Sequence, residues 1–211
     1  MTHDRLQCDA LIFDMDGTLW DAVDSYAVIW NTTFRQAGLT DLPEVTRDDL
    51  MREMGKHLED IIDDLAPGHN NDGNFLRLLN ANEASMMPVL RGRLYKGVTE
   101  TIARLAQHLP LFMVSNCGPR GLDNFIEVNN LRPYITEALS HGGTGLSKAD
   151  NIALLIRRHR LSHPVYVGDT QGDSDAAHAA GAAMIYCAYG FGTVSDADRT
   201  IQRFDQLTDI I

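Results

Sequence analysis

An alternation along the chain limits what it can fold into. Short apolar runs at 8–13, 111–115, 136–139, 165–167 and 183–189 are separated by amphipathic stretches at 99–107, 122–129, 148–158 and 173–180. Apolar runs of this length, bounded by breaks, read as strands buried on both faces. Strands that recur with a helix between them pair in parallel, because each crossover returns the chain to the same direction. The pattern predicts an α/β fold: a Rossmann-like, doubly wound parallel sheet covered by helices on both faces.

One segment breaks the rhythm. Between 19 and 93 there is no convincing strand, and helical periodicity runs over 23–37, 48–54, 57–65 and 75–90. Gly38, Pro43, Gly55 and the Gly- and Asn-rich stretch 67–73 supply the breaks. The expected organisation is therefore a core made of 1–18 and 94–211, with an all-helical cap, 19–93, inserted after the first strand. Both connections lie beside the end of that strand, where an inserted unit is placed to act as a lid.

Composition narrows the function. Over 211 residues the formal net charge is −11, which argues against a nucleic-acid binder. An anionic substrate then needs cations placed at its site. No apolar run approaches the roughly 20 residues of a membrane span. The start, Met1-Thr2-His3-Asp4-Arg5, lacks the basic-then-apolar order of a secretory signal. The expectation is a cytoplasmic protein with no membrane or nucleic-acid partner; oligomeric state is not legible. Cys8, Cys117 and Cys187 are odd in number and form no CxxC, so reduced thiols are expected. Cys117 is singled out because it follows Asn116 in a predicted site loop.

The richest local signal is Asp14-Met15-Asp16-Gly17-Thr18, directly after the apolar run 10–13. Residues two apart on a strand face the same way, so both carboxylates point together. At about 4 Å and an effective dielectric of about 20 they repel by roughly 4 kcal/mol. A cation relieves this, as does a reaction using one acid as nucleophile and the other as acid/base. An Asp-Gly turn with solvated acids would also give this string. An EF-hand does not fit, since its glycine would fall at Leu19 and its closing Glu at Ser25. Three further clusters follow predicted strands: Ser115-Asn116, Lys148 after a Gly-rich loop, and Gly168-Asp169-x-x-x-Asp173. Alone, each has an ordinary reading: a polar strand end, a surface lysine, helix N-terminal acids. In a parallel α/β sheet, however, all four converge on the crevice at the carboxyl ends of the strands.

Taken together, these clusters resemble the four motifs of the haloacid-dehalogenase superfamily of phosphohydrolases, and the resemblance spans essentially the whole chain. Asp14-x-Asp16-Gly17-Thr18 is similar to the first motif, Ser115 to the second, Lys148 to the third, and Gly168-Asp169-x-x-x-Asp173 to the fourth. The helical insertion, Tyr95-Lys96-Gly97-Val98 and Ala188-Tyr189-Gly190-Phe191-Gly192 resemble the phosphoglycolate-phosphatase-like branch. Ala149 departs from the proline that often follows the third-motif lysine. The resemblance implies a Mg²⁺-dependent phosphatase for a small phosphorylated metabolite, phosphoglycolate-like or a sugar phosphate. Asp14 would be the nucleophile, forming an aspartyl-phosphate, and Asp16 the acid/base. Mg²⁺ would be held by Asp14, Asp169 and the backbone carbonyl of Asp16. Asp173 would orient waters or Lys148, and phosphate would be bound by Thr18, Ser115, Asn116 and Lys148. Gly55, Lys56 and His57 lie on a cap turn that could reach the substrate. Sugar-phosphate mutases of the superfamily carry Val-Ile after the first-motif glycine; Thr18-Leu19 looks more like a hydrolase. Dehalogenases lack the second carboxylate, which is present here as Asp16. A non-catalytic binding module on the same fold is the remaining alternative.

Overall fold

The computed structural model describes residues 5–71 and 73–211; the readings made on 1–4 and on residue 72 lie outside them. The chain begins with β1 (Ala10–Phe13) and β2 (Trp20–Asp21). Four helices follow, α1 (Val23–Gln36), α2 (Arg47–Glu53), α3 (Leu58–Leu65) and α4 (Asn74–Leu90), and then β3 (Arg93–Leu94). Next come α5 (Val98–Leu105), β4 (Leu111–Ser115), α6 (Gly121–Val128), β5 (Glu137–Ser140), α7 (His141–Thr144) and α8 (Lys148–His159). They lead to β6 (Pro164–Gly168), α9 (Gln171–Ala180), β7 (Ala183–Cys187) and β8 (Arg199–Ile201). A 3₁₀ turn, Phe204–Gln206, and α10 (Leu207–Ile210) close the described chain.

Six strands form one parallel sheet in the order β5-β4-β1-β6-β7-β8. The chain leaves β1 toward β4 and β5, then crosses back to β6 on the other side of β1. That reversal makes β1 the topological switch point, where such sheets open a crevice at their carboxyl ends. Phe13 is level with Met113 on one side and Val167 on the other. The register therefore brings Asp14 abreast of the ends of β4 and β6.

Strand alternation sorts the core into two layers. Leu11, Phe13, Met113, Val167 and Ile185 pack with Ile102, Phe125 and Leu207 of α5, α6 and α10. Ala10, Ile12, Phe112, Tyr166 and Met184 pack on the opposite face with Ile152, Leu155, Ala176 and Ala177 of α8 and α9. β1, β4 and β6 are buried along their whole length, which is why they read as continuous apolar runs.

The structure adds three strands to those predicted. β8 is three residues long with two of them exposed, so no apolar run marked it. β2 and β3 are two residues each and pair antiparallel, Trp20 with Leu94 and Asp21 with Arg93. Their ribbon closes the base of the helical segment that runs from α1 to α4. The segment also meets α6. Pro88 in α4 lacks an N–H, which frees the Ala84 carbonyl four residues earlier. Asn124 Nδ2 of α6 donates to that carbonyl at 3.3 Å. Among the described residues, no helix is long and apolar enough to cross a membrane.

Phe125 links these layers: it is fully buried and sits edge-on to Trp20 of the ribbon, with ring centroids 4.9 Å apart. Phe125→Ala is expected to lower unfolding free energy by about 3–5 kcal/mol in urea titrations and to shift tryptophan emission to the red. A loss below about 1 kcal/mol would show that this contact does not hold the ribbon to the core.

Candidate active site

Asp14 follows the last residue of β1, and its N–H donates to the Val167 carbonyl of β6 at 2.9 Å. The residue is only 6% exposed. The chain then turns back on itself: Leu19 N–H donates to the Met15 carbonyl, and Gly17 N–H to that of Trp20. Gly17 adopts φ +81°, and a Cβ there would lie 2.2 Å from Asp169 Oδ2. Only glycine meets both conditions.

The neighbouring strand ends contribute the other groups. Lys148, in the first turn of α8, is buried, and its Nζ donates to Asp14 Oδ1 at 2.9 Å and Asp173 Oδ1 at 2.6 Å. Asp173 lies in the first turn of α9. Its Oδ2 accepts from Asp169 N–H, Thr170 N–H and the Thr170 hydroxyl at 2.9–3.1 Å. This is the carboxyl half of a capping box, with Thr170 as N-cap. Asp169, fully buried, accepts from Phe191 N–H at 2.7 Å and the Thr18 hydroxyl at 3.2 Å. Tyr166 OH donates to the Val114 carbonyl at 3.0 Å beneath these groups.

Asp16 is held separately. Trp20 Nε1 donates to its Oδ1 at 2.9 Å, and Tyr26 OH of α1 to its Oδ2 at 3.3 Å. Its carboxyl is thus bound by the ribbon and by the inserted helices.

Protonation follows from burial and charge. Burial, reinforced by the Asp14 charge, pushes Asp16 up to about 7. Burial also raises Asp14, against the pull of Lys148. It raises Asp169 well above the usual carboxylate range, with Asp173 and Asp14 adding to the effect. Burial works against Asp173 as well, but Lys148 and Thr170 hold it low. Lys148 is likewise disfavoured by burial, yet Asp14 and Asp173 hold its ammonium above the ordinary range.

Asp14, Asp169 and Asp173 each bring a carboxylate oxygen within 4.8 Å of the others. When ionised, the three carry two more negative charges than Lys148 neutralises. An all-oxygen donor set with that surplus fits a hard divalent cation.

A cavity opens over these groups, lined from the core by Asp14, Asp16, Ser115, Asn116 and Lys148, and from the inserted helices by Tyr26, Trp30, Gly55, Lys56 and Glu83. Ser115 Oγ accepts from Cys117 N–H at 3.2 Å, which leaves its own hydrogen free to donate. Asn116 Nδ2 donates to the Gly55 carbonyl at 2.8 Å, a bond between core and insertion. His57 packs instead on His141, with ring centroids 4.2 Å apart. Thr18 lies behind the carboxylates: its hydroxyl goes to Asp169, and its N–H faces the Met15 carbonyl inside the turn. Burial pushes the Cys117 thiol up to about 12, so it is not an activated thiolate. Tyr26, Trp30 and Glu83 carried no sequence signal, since an aromatic or acid on an amphipathic helix is ordinary.

This geometry has relatives. The family model described as haloacid dehalogenase-like hydrolase matches residues 11–187. A phosphoglycolate phosphatase of Nitrosospira multiformis is 27% identical over 92% of this chain and 89% of its own. Among solved structures, a haloacid dehalogenase-like family hydrolase from Streptococcus pneumoniae superposes with a TM-score of 0.80 at 18% identity, covering 96% of each chain. CbbY from Rhodobacter sphaeroides, solved in complex with phosphate, gives 0.79 at 17% identity, covering 97% of this chain and 99% of its own.

Lys148→Met removes the ammonium from between two buried carboxylates. In EDTA at pH 7 the variant is expected to lose about 3–5 kcal/mol of stability. Without the ammonium, burial and the mutual repulsion of Asp14 and Asp173 make the pair titrate higher when folded than when unfolded. The loss should therefore shrink as pH falls and both take up protons. Equal losses at pH 7 and pH 5 in urea titrations would contradict this reading of the pair.

Proposed function

Because the chain belongs to the haloacid dehalogenase-like hydrolases, we propose that it hydrolyses a small phosphate monoester through a covalent intermediate on Asp14. The observation that carries the reading is the separation of two acids. Asp14 is fixed by Lys148 at 2.9 Å, while Asp16 is fixed by Trp20 and Tyr26 and pushed up to about 7. One is poised as an anion and the other as a proton carrier. The phosphoglycolate phosphatase name of the Nitrosospira relative supports the same reaction class.

The cation, Mg²⁺ for this donor set, would be held by Asp14, Asp169 and the main-chain carbonyl of Asp16, and would supply charge neutralisation between carboxylate and phosphate. The chain's own residues do the rest. Asp14 attacks phosphorus through Oδ2, the oxygen not bonded to Lys148, and the ester P–O bond breaks. Asp16 gives its proton to the departing alkoxide. Water then attacks the phosphorus of the acyl phosphate and loses a proton to Asp16, which releases inorganic phosphate and restores both acids. Lys148, the Ser115 hydroxyl and Asn116 bind the phosphoryl oxygens. Thr18 acts through Asp169, which it holds in place. Residues 19–93 serve as a cap over a core of 1–18 and 94–211, hinged at the β2/β3 ribbon. Cap closure excludes water and brings Gly55 and Lys56 over the substrate.

Wild-type protein is expected to release phosphate from p-nitrophenyl phosphate with Mg²⁺ and without any bisphosphate activator. Asp14→Asn should lower kcat by at least about 1000-fold. Wild-type turnover in that variant would rule out Asp14 as the nucleophile. EDTA should abolish release and added Mg²⁺ restore it; full activity in EDTA would exclude the cation.

A further inference from the structure

The wall of the cavity away from Lys148 bears on what the alcohol of the ester can be. Much of it is apolar, from Trp30, Leu50, Met54, Leu58 and Ile61. One unpartnered acid interrupts it. Glu83 of α4 lines the cavity and, among the described residues, has neither a hydrogen bond nor an ion pair. It reaches over the 115–118 loop: a Cβ on Gly118 would lie 3.4 Å from Glu83 Oε2.

The cations of the wall are already engaged. Among the described residues lining the cavity they are Lys56 and Lys148. Lys56 Nζ is bonded to Glu53 at 2.6 Å and Asp64 at 2.7 Å, and Lys148 to Asp14 and Asp173. An alcohol bearing a carboxylate would meet a carboxyl group and find no free cation. An alcohol bearing an ammonium group would find Glu83 and the rings of Tyr26 and Trp30.

Resting on the phosphatase reading above, we infer that the site takes phosphate monoesters of amino alcohols, pairs their ammonium group with Glu83, and discriminates against esters whose alcohol carries a carboxylate. A lone carboxylate in this wall is costly: burial and the charge of Asp16 push Glu83 up to about 8. An arriving ammonium group relieves that cost, so the empty wall is primed for a cation. The similarity to phosphoglycolate phosphatases does not fix this wall, because at 27% identity most side chains differ.

The test compares kcat/KM with Mg²⁺ for 2-aminoethyl phosphate, 2-hydroxyethyl phosphate and phosphoglycolate, in wild type and in Glu83→Gln. Wild type is expected to prefer the aminoethyl ester to phosphoglycolate by at least about tenfold, and Glu83→Gln to shrink that ratio by at least about tenfold, the scale of one charge-assisted contact. A ratio measured on one preparation cancels its active fraction, so a poorly folded variant cannot imitate the result. A wild-type preference for phosphoglycolate, or a ratio unmoved by Glu83→Gln, overturns the amine assignment while leaving the phosphatase reading intact. No phosphate from any of the three esters, with p-nitrophenyl phosphate still hydrolysed, overturns the amine assignment alone; no phosphate from p-nitrophenyl phosphate either overturns the phosphatase reading, and this inference with it.

Discussion

The Lys148 ammonium, buried between Asp14 and Asp173, is the interaction on which the rest of the structure depends. A parallel sheet of apolar strands offers nothing to solvate three carboxylates at its carboxyl edge. Only a dense set of donors makes their burial tolerable. The donors come from α8, from the capped start of α9, and from the main chain at Phe191. Even so, the acids outnumber the ammonium, and burial raises Asp14 and Asp169. The fold thus maintains a deficit of positive charge at its switch point, one that a divalent cation would relieve and that would have to be met before an anion could enter.

Asp16 makes the inserted helices part of this chemistry. Its carboxyl belongs to the strand end by sequence, but it is gripped by Trp20 of the ribbon and Tyr26 of α1. Any movement of the insertion about β2 and β3 would move the hydrogen-bond partners of Asp16 as well as the roof of the cavity. Asn116 and Gly55 form a second link across the same gap. Gly55 has φ +91° and would place a Cβ 3.3 Å from Thr170, so a bare backbone is what lets the roof approach so closely.

Much of the core was legible because its signals are local. β1, β4 and β6 are buried on both faces and so are written as unbroken apolar runs. Asp14, Ser115 and Asp169 stand at the ends of predicted strands and Lys148 beyond the loop that follows another, where topology alone gathers them. β8 and the β2/β3 ribbon escaped, being too short to have a period and held by pairing with distant residues. Thr18 and His57 were grouped with the substrate contacts by their sequence neighbours, yet in three dimensions one faces Asp169 and the other His141. Glu83 was invisible for the opposite reason: nothing about an acid on an amphipathic helix tells that its side chain ends over a loop contributed by another part of the chain.

The most direct measurement is a crystal structure grown with Mg²⁺ and a phosphoryl mimic such as beryllium fluoride. A metal ion is expected at about 2.1 Å from carboxylate oxygens of Asp14 and Asp169, with the mimic bonded to Asp14 and within hydrogen-bond reach of Lys148 and Ser115. A metal bound elsewhere, or a mimic seated away from Asp14 with the strand-end acids still paired only to Lys148, would contradict it.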